Sequence, residues 1–291
     1  YNRPGEQLRL LQLAERDRNH KKAPSKWPMA VQYLSELADQ DDPLAIFHLG
    51  RWHRLGIGMP VKPEQALKYN TLGAELGDTG CMISLARMLV KDQPEQAKHW
   101  LQQAQALEDA MVHAHWSQCF PDEADKQLEL GIALQDPTAL LFWSDRVAKD
   151  NPAGALAALY QAAQAHVSEA CVRLSYAHEH GELGLPASEE LAMHWASEGA
   201  NLGNAFACGM HGRLSVKRNP RMAISRLRQS AMLGEEFYVY ELARQLYLKG
   251  HRPQHLKECV QWLRHGAQLQ DVRCMNLLGD MLRFGQGCNC L

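Results

Sequence analysis

One short pattern of residues recurs along this chain at intervals typical of a helical hairpin. A small residue is followed three positions later, usually by a bulky one, and seven positions later by another small one, as in Ala66, Tyr69 and Gly73. The copies begin at Ala30, Ala66, Ala97, Ala124, Ala155, Ala192, Ala223 and Cys259, so the intervals are 36, 31, 27, 31, 37, 31 and 36 residues. Such a period indicates a solenoid, in which each unit buries its apolar face only against its neighbours.

Each copy of the pattern lies in the second of two helices that are joined by a short turn. Pro43 begins the first helix of one unit, here called helix A, at a position where a missing N–H costs nothing. Gly56 and Gly58 end this helix, and Pro63 begins the second, helix B. We find no alternating strand pattern of useful length. The prediction is an all-α fold, an α/α solenoid of about seven to eight helix pairs.

The domain organisation follows from the same repeat. The chain is longer than a usual single-core domain, yet no change in composition marks a boundary. A solenoid explains this because its core grows in one dimension. We expect one continuous array over residues 25–287, preceded by an N-terminal cap helix at 1–24 and followed by a tail at 288–291. The shortest unit, residues 108–135, should change the local curvature.

Charge and hydropathy narrow the range of partners. The formal net charge of −2 is not the basic footprint of a nucleic-acid-binding protein, so nucleic acid is not an expected partner. No apolar run reaches the roughly 18 residues that indicate a membrane-spanning helix. The sequence begins at Tyr1 instead of Met, which indicates processing or trimming. A removed secretory signal and a cloned fragment are both consistent with this start.

The eight cysteines do not form a metal or redox motif, because no two have the C-x-x-C spacing. Four of them occupy small-residue packing positions of the repeat, where neighbouring copies are too far apart for a disulfide. These four should be buried thiols: Cys81, Cys171, Cys208 and Cys274. Cys288 and Cys290 follow the last helix, where a disulfide to Cys259 or Cys274 is an alternative to free thiols.

Fourteen histidines call for a search for metal and catalytic sites. The closest pairs are His113 and His115, His178 and His180, and His251 and His255. Residues two apart on a helix point in nearly opposite directions, and the third pair straddles Pro253, so none favours a metal ion. Cys119 with His113 and His115 is the least implausible nucleophile set, and no known catalytic motif occurs in its required setting. We expect no enzyme activity, no metal and no cofactor.

The repeats resemble the Sel1-like repeat family, whose α/α solenoids are related to tetratricopeptide arrays. In that family helix A carries Ala-x-x-x-Leu-Gly followed by a Gly-x-Gly turn, and helix B carries a small residue, an aromatic residue and glycines. The matching segments are Ala45–Gly50 with Gly56–Gly58 in helix A, and Ala66–Gly77 and Ala192–Gly203 in helix B. The resemblance covers roughly residues 25–287 and implies a right-handed superhelix that binds other proteins.

Successive A helices of such a solenoid form a groove. Its inner positions are expected to hold large, mostly polar side chains: His53, Arg87, His115, Trp143, His178, His211, Arg244 and Arg283. Arginine and tryptophan are frequent anchors of protein interfaces. The leading prediction is therefore a non-catalytic scaffold or adaptor that binds a partner protein or peptide in this groove. The excess of arginine and histidine would also suit an acidic segment.

Other functions and the location stay open at this point. By resemblance, the chain is also consistent with an immunity protein that neutralises a secreted toxin, or with a module that binds peptidoglycan or another polysaccharide. The polysaccharide function is the least favoured, because the aromatic residues Tyr69, Trp100, Trp195 and Trp262 are expected in the core. Resemblance also suggests a periplasmic or exported protein of the bacterial envelope or of secretion, with the cytoplasm as the alternative.

Overall fold

The computed structural model describes residues 23–55, 60–249 and 253–285, and within these ranges the regular elements are all helical. The helices are α1 (Ala23–Ala38), α2 (Pro43–Leu55), α3 (Pro63–Glu75), α4 (Thr79–Leu89), α5 (Pro94–Ala106), α6 (Met111–Cys119), α7 (Ala124–Ala133), α8 (Pro137–Val147), α9 (Pro152–Gln164), α10 (Ser168–His180), α11 (Glu189–Asn201), α12 (Ala205–Ser215), α13 (Pro220–Met232), α14 (Val239–Leu248), α15 (Pro253–Gln268) and α16 (Val272–Arg283). A 3-10 turn, Pro121–Glu123, precedes α7. The prediction of an all-α fold of helical hairpins is confirmed.

The chain divides into two compact units, Tyr1–Val147 and Ala148–Leu291, here called unit 1 and unit 2. In unit 1 the A helices are α2, α4, α6 and α8; in unit 2 they are α10, α12, α14 and α16. Within each unit a helix packs on the next along the chain. Direct contacts between successive A helices join α2 to α4, α4 to α6, α6 to α8, α10 to α12 and α14 to α16. Continuity of the array over residues 25–287 and its right-handed superhelix stay predictions. The cap helix at 1–24, apart from the start of α1, and the tail at 288–291 lie outside the described residues.

The helices begin where their sequences place proline and a capping side chain. In α13, Pro220 occupies the first turn, where its missing N–H leaves no hydrogen bond unmade. The Asn219 side chain caps the same helix by accepting a hydrogen bond from the Met222 N–H at 3.1 Å. Asn151 caps α9 in the same way, and Asp271 caps α16. Local sequence thus sets where the hairpins start.

Each B helix and the A helix that follows it are related by a constant sequence spacing of eight residues. A buried residue near the end of helix B precedes a buried residue near the start of helix A by eight positions, as Gly131 precedes Ala139 and Gly199 precedes Ala207. A Cβ atom on Gly131 would lie 2.7 Å from the Cβ of Ala139, and one on Gly199 would lie 2.8 Å from the Cβ of Ala207. The two helices therefore approach so closely that these glycines admit no side chain.

These contacts give every A helix a common numbering. We count positions from the buried residue of the eight-residue step, so that position 1 is occupied in chain order by Ala45, Cys81, Val112, Ala139, Ala170, Ala207, Tyr238 and Cys274. Most of these side chains are small, but Tyr238, immediately before α14, is large and only 3% exposed. Gly209 in α12 makes room for it, because a Cβ atom there would overlap the Tyr238 ring.

The cysteines agree with their sequence assignment. Four thiols are free and buried, as predicted: Cys81, Cys171, Cys208 and Cys274. Burial raises the pKa of Cys208 and of Cys274 to about 11, which makes both thiols unreactive at neutral pH. Cys259 is also a buried free thiol. Cys288 and Cys290, for which a disulfide was an alternative, lie outside the described residues.

The aromatic residues of the B helices lie at the edge of the core instead of its centre. Tyr69, Trp100 and Trp262 are partly buried and pack against the buried clusters of their units. Trp195 is also partly buried, and its ring centroid lies 5.6 Å from that of Tyr160. The small first residue of the pattern is what fills the centre, since Ala66, Ala97 and Ala192 have no exposed surface.

Candidate functional site

The common numbering reveals a row of exposed side chains on the A helices. Position 7 is exposed in each described A helix and always carries a polar or charged group. These residues are Arg51, Arg87, Gln118 and Asp145 in unit 1, and Tyr176, Arg213, Arg244 and Asp280 in unit 2. Position 10 lies one turn further along the same side of the helix. We call the surface formed by positions 7 and 10 of the A helices in one unit its A-face.

On the A-face of unit 2 the arginine of α12 is paired with an acid. Nη2 of Arg213, at position 7, donates hydrogen bonds to both carboxylate oxygens of Glu179, at position 10 of α10, at 2.6 and 2.8 Å. The bond to Glu179 raises the pKa of Arg213 above its ordinary value. The guanidinium also interacts with the hydroxyl of the buried Tyr238. Two neighbouring hairpins are thereby tied together through side chains 34 residues apart.

A cavity of about 520 Å³ opens beside this pair, between α10, α12 and α14. Its lining includes Arg213 and Glu179 and continues to Arg244. Arg244 forms an ion pair of 3.6 Å with Glu241 of its own helix, and the Gln245 amide donates a hydrogen bond of 2.7 Å to the same carboxylate. The cavity is therefore lined by charges of both signs that largely neutralise one another.

The A-face of unit 1 differs from that of unit 2 in charge, because it carries a group of three arginines. Arg51 and Arg54 occupy positions 7 and 10 of α2, and Arg87 occupies position 7 of the next A helix, α4. The structure records no ion pair or hydrogen bond from these guanidinium groups to any acid among the described residues. Burial lowers the pKa of Arg54, and the neighbouring charges of Arg87 and Arg51 lower it further. Three cations are thus close together, with no acid from the described ranges paired to them.

The candidate groove residues of unit 1 lie on four different A helices and at different positions. Arg87 is fully on the A-face. His53 is half-buried and stacks on Tyr69 with a centroid distance of 5.6 Å. His115 is also half-buried, and its pKa is lowered by burial and by Arg87. Trp143 is half-buried against a small cluster around Ala114, Leu128 and Ala139. Arg87 alone of these four occupies position 7.

In unit 2 the candidate groove residues divide into two buried and two exposed ones. His178 and His211 are only 3% and 5% exposed. Nε2 of His178 lies 3.1 Å from the Tyr160 hydroxyl, within its own unit. Arg244 and Arg283 are exposed at positions 7 and 10. The groove as a binding site stays a prediction, but these two histidines are interior residues and not exposed groove residues.

Sequence reasoning missed Arg51, Arg54, Arg213 and Glu179. The sequence does contain the eight-residue spacing between helix B and helix A. This spacing assigns a position number to each residue of every A helix. The eight candidate groove residues, which were chosen without this numbering, occupy positions 4, 5, 7, 9 and 10. A shift of two or three residues on a helix moves a side chain to a different face.

In the described part of the chain, Cys119 forms no hydrogen bond with His113 or His115, the other members of the candidate nucleophile set. Nδ1 of His113 lies 2.7 Å from Oε1 of Gln127, inside the hairpin of α6 and α7. Burial raises the pKa of the Cys119 thiol, which disfavours the thiolate. Within the described part of the chain no group of three or more His, Cys, Asp or Glu side chains is placed to hold a metal ion. No helix in that part is long and apolar enough to cross a membrane.

The stacked hairpins with small-residue contacts define an α/α repeat protein. The Sel1 repeat family model matches residues 43–78, 85–107, 168–204, 205–235, 239–271 and 272–289. These segments amount to more than half of the chain, which therefore belongs to the Sel1 repeat family, as its motifs predicted. Residues 108–167, where the copies at Ala124 and Ala155 lack the aromatic residue, are not matched. A comparison with curated protein sequences gave no match.

Solved structures share this fold. A protective antigen of uropathogenic Escherichia coli with an SLR fold is 20% identical, has a TM-score of 0.57, and aligns over 98% of this chain and 66% of its own. This chain thus spans just under two thirds of that protein's length. A Sel1 repeat protein from Oxalobacter formigenes is 16% identical with a TM-score of 0.55, over 96% and 87% of the two chains. An immunity protein from Pseudomonas aeruginosa is 17% identical over 84% and 83%, but its TM-score of 0.43 carries no functional argument. The likeness shows the fold alone.

Proposed function

We propose that this protein is a non-catalytic scaffold that holds a partner protein against its A-faces. Sel1 repeats in general mediate contacts between proteins. The observation that supports the A-face as the contact surface is its regularity: position 7 is exposed in each described A helix, whereas the buried positions of the same helices are used for stacking. Arginine and tyrosine, which occur at this position, are enriched among the residues that dominate protein interfaces.

Site-specific photo-crosslinking in the native host tests this proposal. A photoreactive amino acid would replace Gln118 on the A-face of unit 1 and, in a second variant, Tyr176 on the A-face of unit 2. Matched controls would place it at Lys68 and at Arg221, which are exposed on the B helices α3 and α13. We expect a discrete adduct from at least one A-face position and none from the controls. Adducts that form equally well at Lys68 and Arg221, or no adduct at all, would contradict the proposal.

The identity of the cross-linked molecule would also distinguish between the candidate functions. An adaptor should yield a component of a structural complex, whereas an immunity protein should yield a toxin whose activity it abolishes in vitro. A polysaccharide-binding module should give no protein adduct and should change its tryptophan fluorescence when glycan is added. We further propose, from the resemblance to exported family members, a periplasmic or exported location, with the cytoplasm as the alternative. Fractionation of native cells with antibody detection tests that location.

A further inference from the structure

The three arginines on the A-face of unit 1 form a positively charged group that no described residue neutralises. Arg51 and Arg54 lie one helical turn apart on α2, and Arg87 lies on α4, the next A helix. Residues three apart on a helix have Cβ atoms about 5–6 Å apart, and packed helices lie about 8–10 Å apart. None of the three guanidinium groups is paired with an acid in the part of the chain that the structure describes.

Unit 2 shows that the fold accepts an acidic residue at position 10 of an A helix. Glu179 occupies position 10 of α10, which corresponds to Arg54 in α2, and it pairs with Arg213, which corresponds to Arg87. The equivalent pair in unit 1 therefore has two positive charges where unit 2 has opposite charges. Stacking of the hairpins does not require the second arginine, since the buried positions are of the same kind in both units.

Like charges close together are unfavourable, and partial burial makes them more so. Arg54 is half-buried, and its pKa is lowered first by burial and then by Arg87 and Arg51. Conflicts of this kind between local chemistry and folding stability are expected at functional or strained sites. Guanidinium groups bind carboxylates in a bidentate geometry that also gives specificity.

We propose that Arg51, Arg54 and Arg87 bind an extended acidic segment of the partner protein, with carboxylates on alternate residues. This inference rests on the proposed function and names the chemistry of the partner. Alternate side chains of an extended chain lie on the same side, about 7 Å apart, which falls between the spacing of about 5–6 Å along α2 and that of about 8–10 Å between packed helices; the long, flexible arginine side chains can span the difference. A protein segment is favoured over nucleic acid, because the chain has a net charge of −2 and the positive group is confined to two helices.

Fluorescence anisotropy with a defined probe tests the inference. The probe is a fluorescein-labelled peptide of about ten residues in which glutamate alternates with serine, long enough to span roughly 30 Å. Its matched control replaces every glutamate by glutamine. Binding to the full chain should be seen with the glutamate peptide alone. It should weaken strongly when NaCl is raised from about 0.05 M to about 0.5 M, because exposed charges are screened.

Variants locate the site. Arg54→Glu should weaken binding by more than about tenfold, because it turns an attraction into a repulsion and supplies Arg87 with an internal partner. Arg213→Gln, at the corresponding position of unit 2, and Lys68→Gln, on a B helix, should each change the affinity by less than about twofold. Arg54→Glu is not expected to unfold the chain, since it removes repulsion from Arg87, and thermal unfolding of each variant checks this.

Several results would overturn the inference. They are absence of binding to the glutamate peptide, an equal loss in Arg213→Gln, and tighter binding of a single-stranded oligonucleotide through the same three arginines. The last result would assign the site to nucleic acid instead of protein. An adduct from Gln118 in the cross-linking experiment, together with a peptide that does not bind, would reject the acidic segment and leave the scaffold function standing. Absence of A-face adducts would reject the scaffold function itself.

Discussion

The two units of this protein use the same pair of helix positions in opposite ways. In unit 2, Arg213 at position 7 is neutralised by Glu179 at position 10 of the preceding A helix. In unit 1, Arg87 at position 7 has Arg54 at the corresponding place. Both units are built from stacked hairpins with buried small residues. The difference shows that stacking fixes where these side chains lie, while their charge is free to differ from one repeat to the next.

Gly209→Ala should give the largest effect, because it breaks the packing on which the pair in unit 2 depends. The new Cβ would overlap the ring of Tyr238, which interacts with Arg213. We expect the free energy of unfolding, measured with urea, to fall by about 2–3 kcal/mol. Gly279→Ala is the matched control, since its Cβ would have no neighbour within 4 Å. It should be neutral or stabilise by up to about 1 kcal/mol, because alanine favours helix.

Glu179→Arg should give unit 2 the charge pattern of unit 1. The substitution removes the carboxylate that holds Arg213 and places a like charge beside it. We expect the free energy of unfolding to fall by about 1–2 kcal/mol at low salt and by less at high salt. Glu179→Gln should cost less, because it removes the attraction without adding repulsion. A Glu179→Arg chain as stable as the native one would show that the pair does not couple the hairpins.

Arg54→Glu is the reverse change and should give unit 1 the charge pattern of unit 2. A carboxylate at residue 54 would be able to pair with Arg87 as Glu179 pairs with Arg213. We expect a gain of about 0.5–1 kcal/mol in the free energy of unfolding, as is usual for an exposed pair. Combining it with Arg87→Gln in a double-mutant cycle should abolish most of this gain. An additive cycle would mean that residues 54 and 87 do not interact.

The smallest expected effect is a change in the pKa of a histidine, which can be compared between the two units. Burial lowers the pKa of both His115 in unit 1 and His178 in unit 2, and Arg87 lowers that of His115 further. Arg87→Gln should therefore raise the pKa of His115 toward its ordinary value and leave that of His178 unchanged, as read from an NMR titration of the imidazole Hε1 signals. Equal shifts at both histidines would show that Arg87 does not act locally.

The change in the pKa of His115 also affects how the free energy of unfolding depends on pH. A lowered pKa means that the folded state favours the neutral imidazole. Its contribution to stability is therefore fully present above the unfolded pKa of about 6.5 and is lost as the pH falls from that value through the lower folded pKa. Arg87→Gln should reduce the part of this acid-dependent loss that comes from His115. Urea unfolding above and below that pH measures the difference between the variant and the native chain.

The repeat period and its small residues were sufficient to predict the hairpins, the all-α fold and the four buried thiols. The candidate binding row stays a prediction, and its members occupy different helix positions because they were chosen by residue type without a common numbering. His178 and His211 have the size and polarity of binding residues, yet they are buried at 3% and 5% exposure. A polar side chain on an amphipathic helix is read correctly only when the packed face is known.

Tyr238 shows the same limit within the core. Its position in the repeat predicts a small residue, and its size alone would suggest that the repeat is broken there. The structure resolves this through Gly209 on the preceding A helix, whose missing side chain leaves space for the ring. Nothing in the local sequence links residues 209 and 238, because the contact depends on how two A helices pack.

The sequence by itself determined that this chain folds into helical hairpins, because capping residues, glycine turns and small-residue spacing act within a few residues of each other or within one hairpin. Only the tertiary structure decided which charges meet. Glu179 and Arg213 are 34 residues apart and are brought together by stacking. The group formed by Arg51, Arg54 and Arg87, which pairs with no acid in the described part of the chain, likewise comes from two neighbouring A helices. Charge pairing depends on distance in space, which a one-dimensional pattern does not contain.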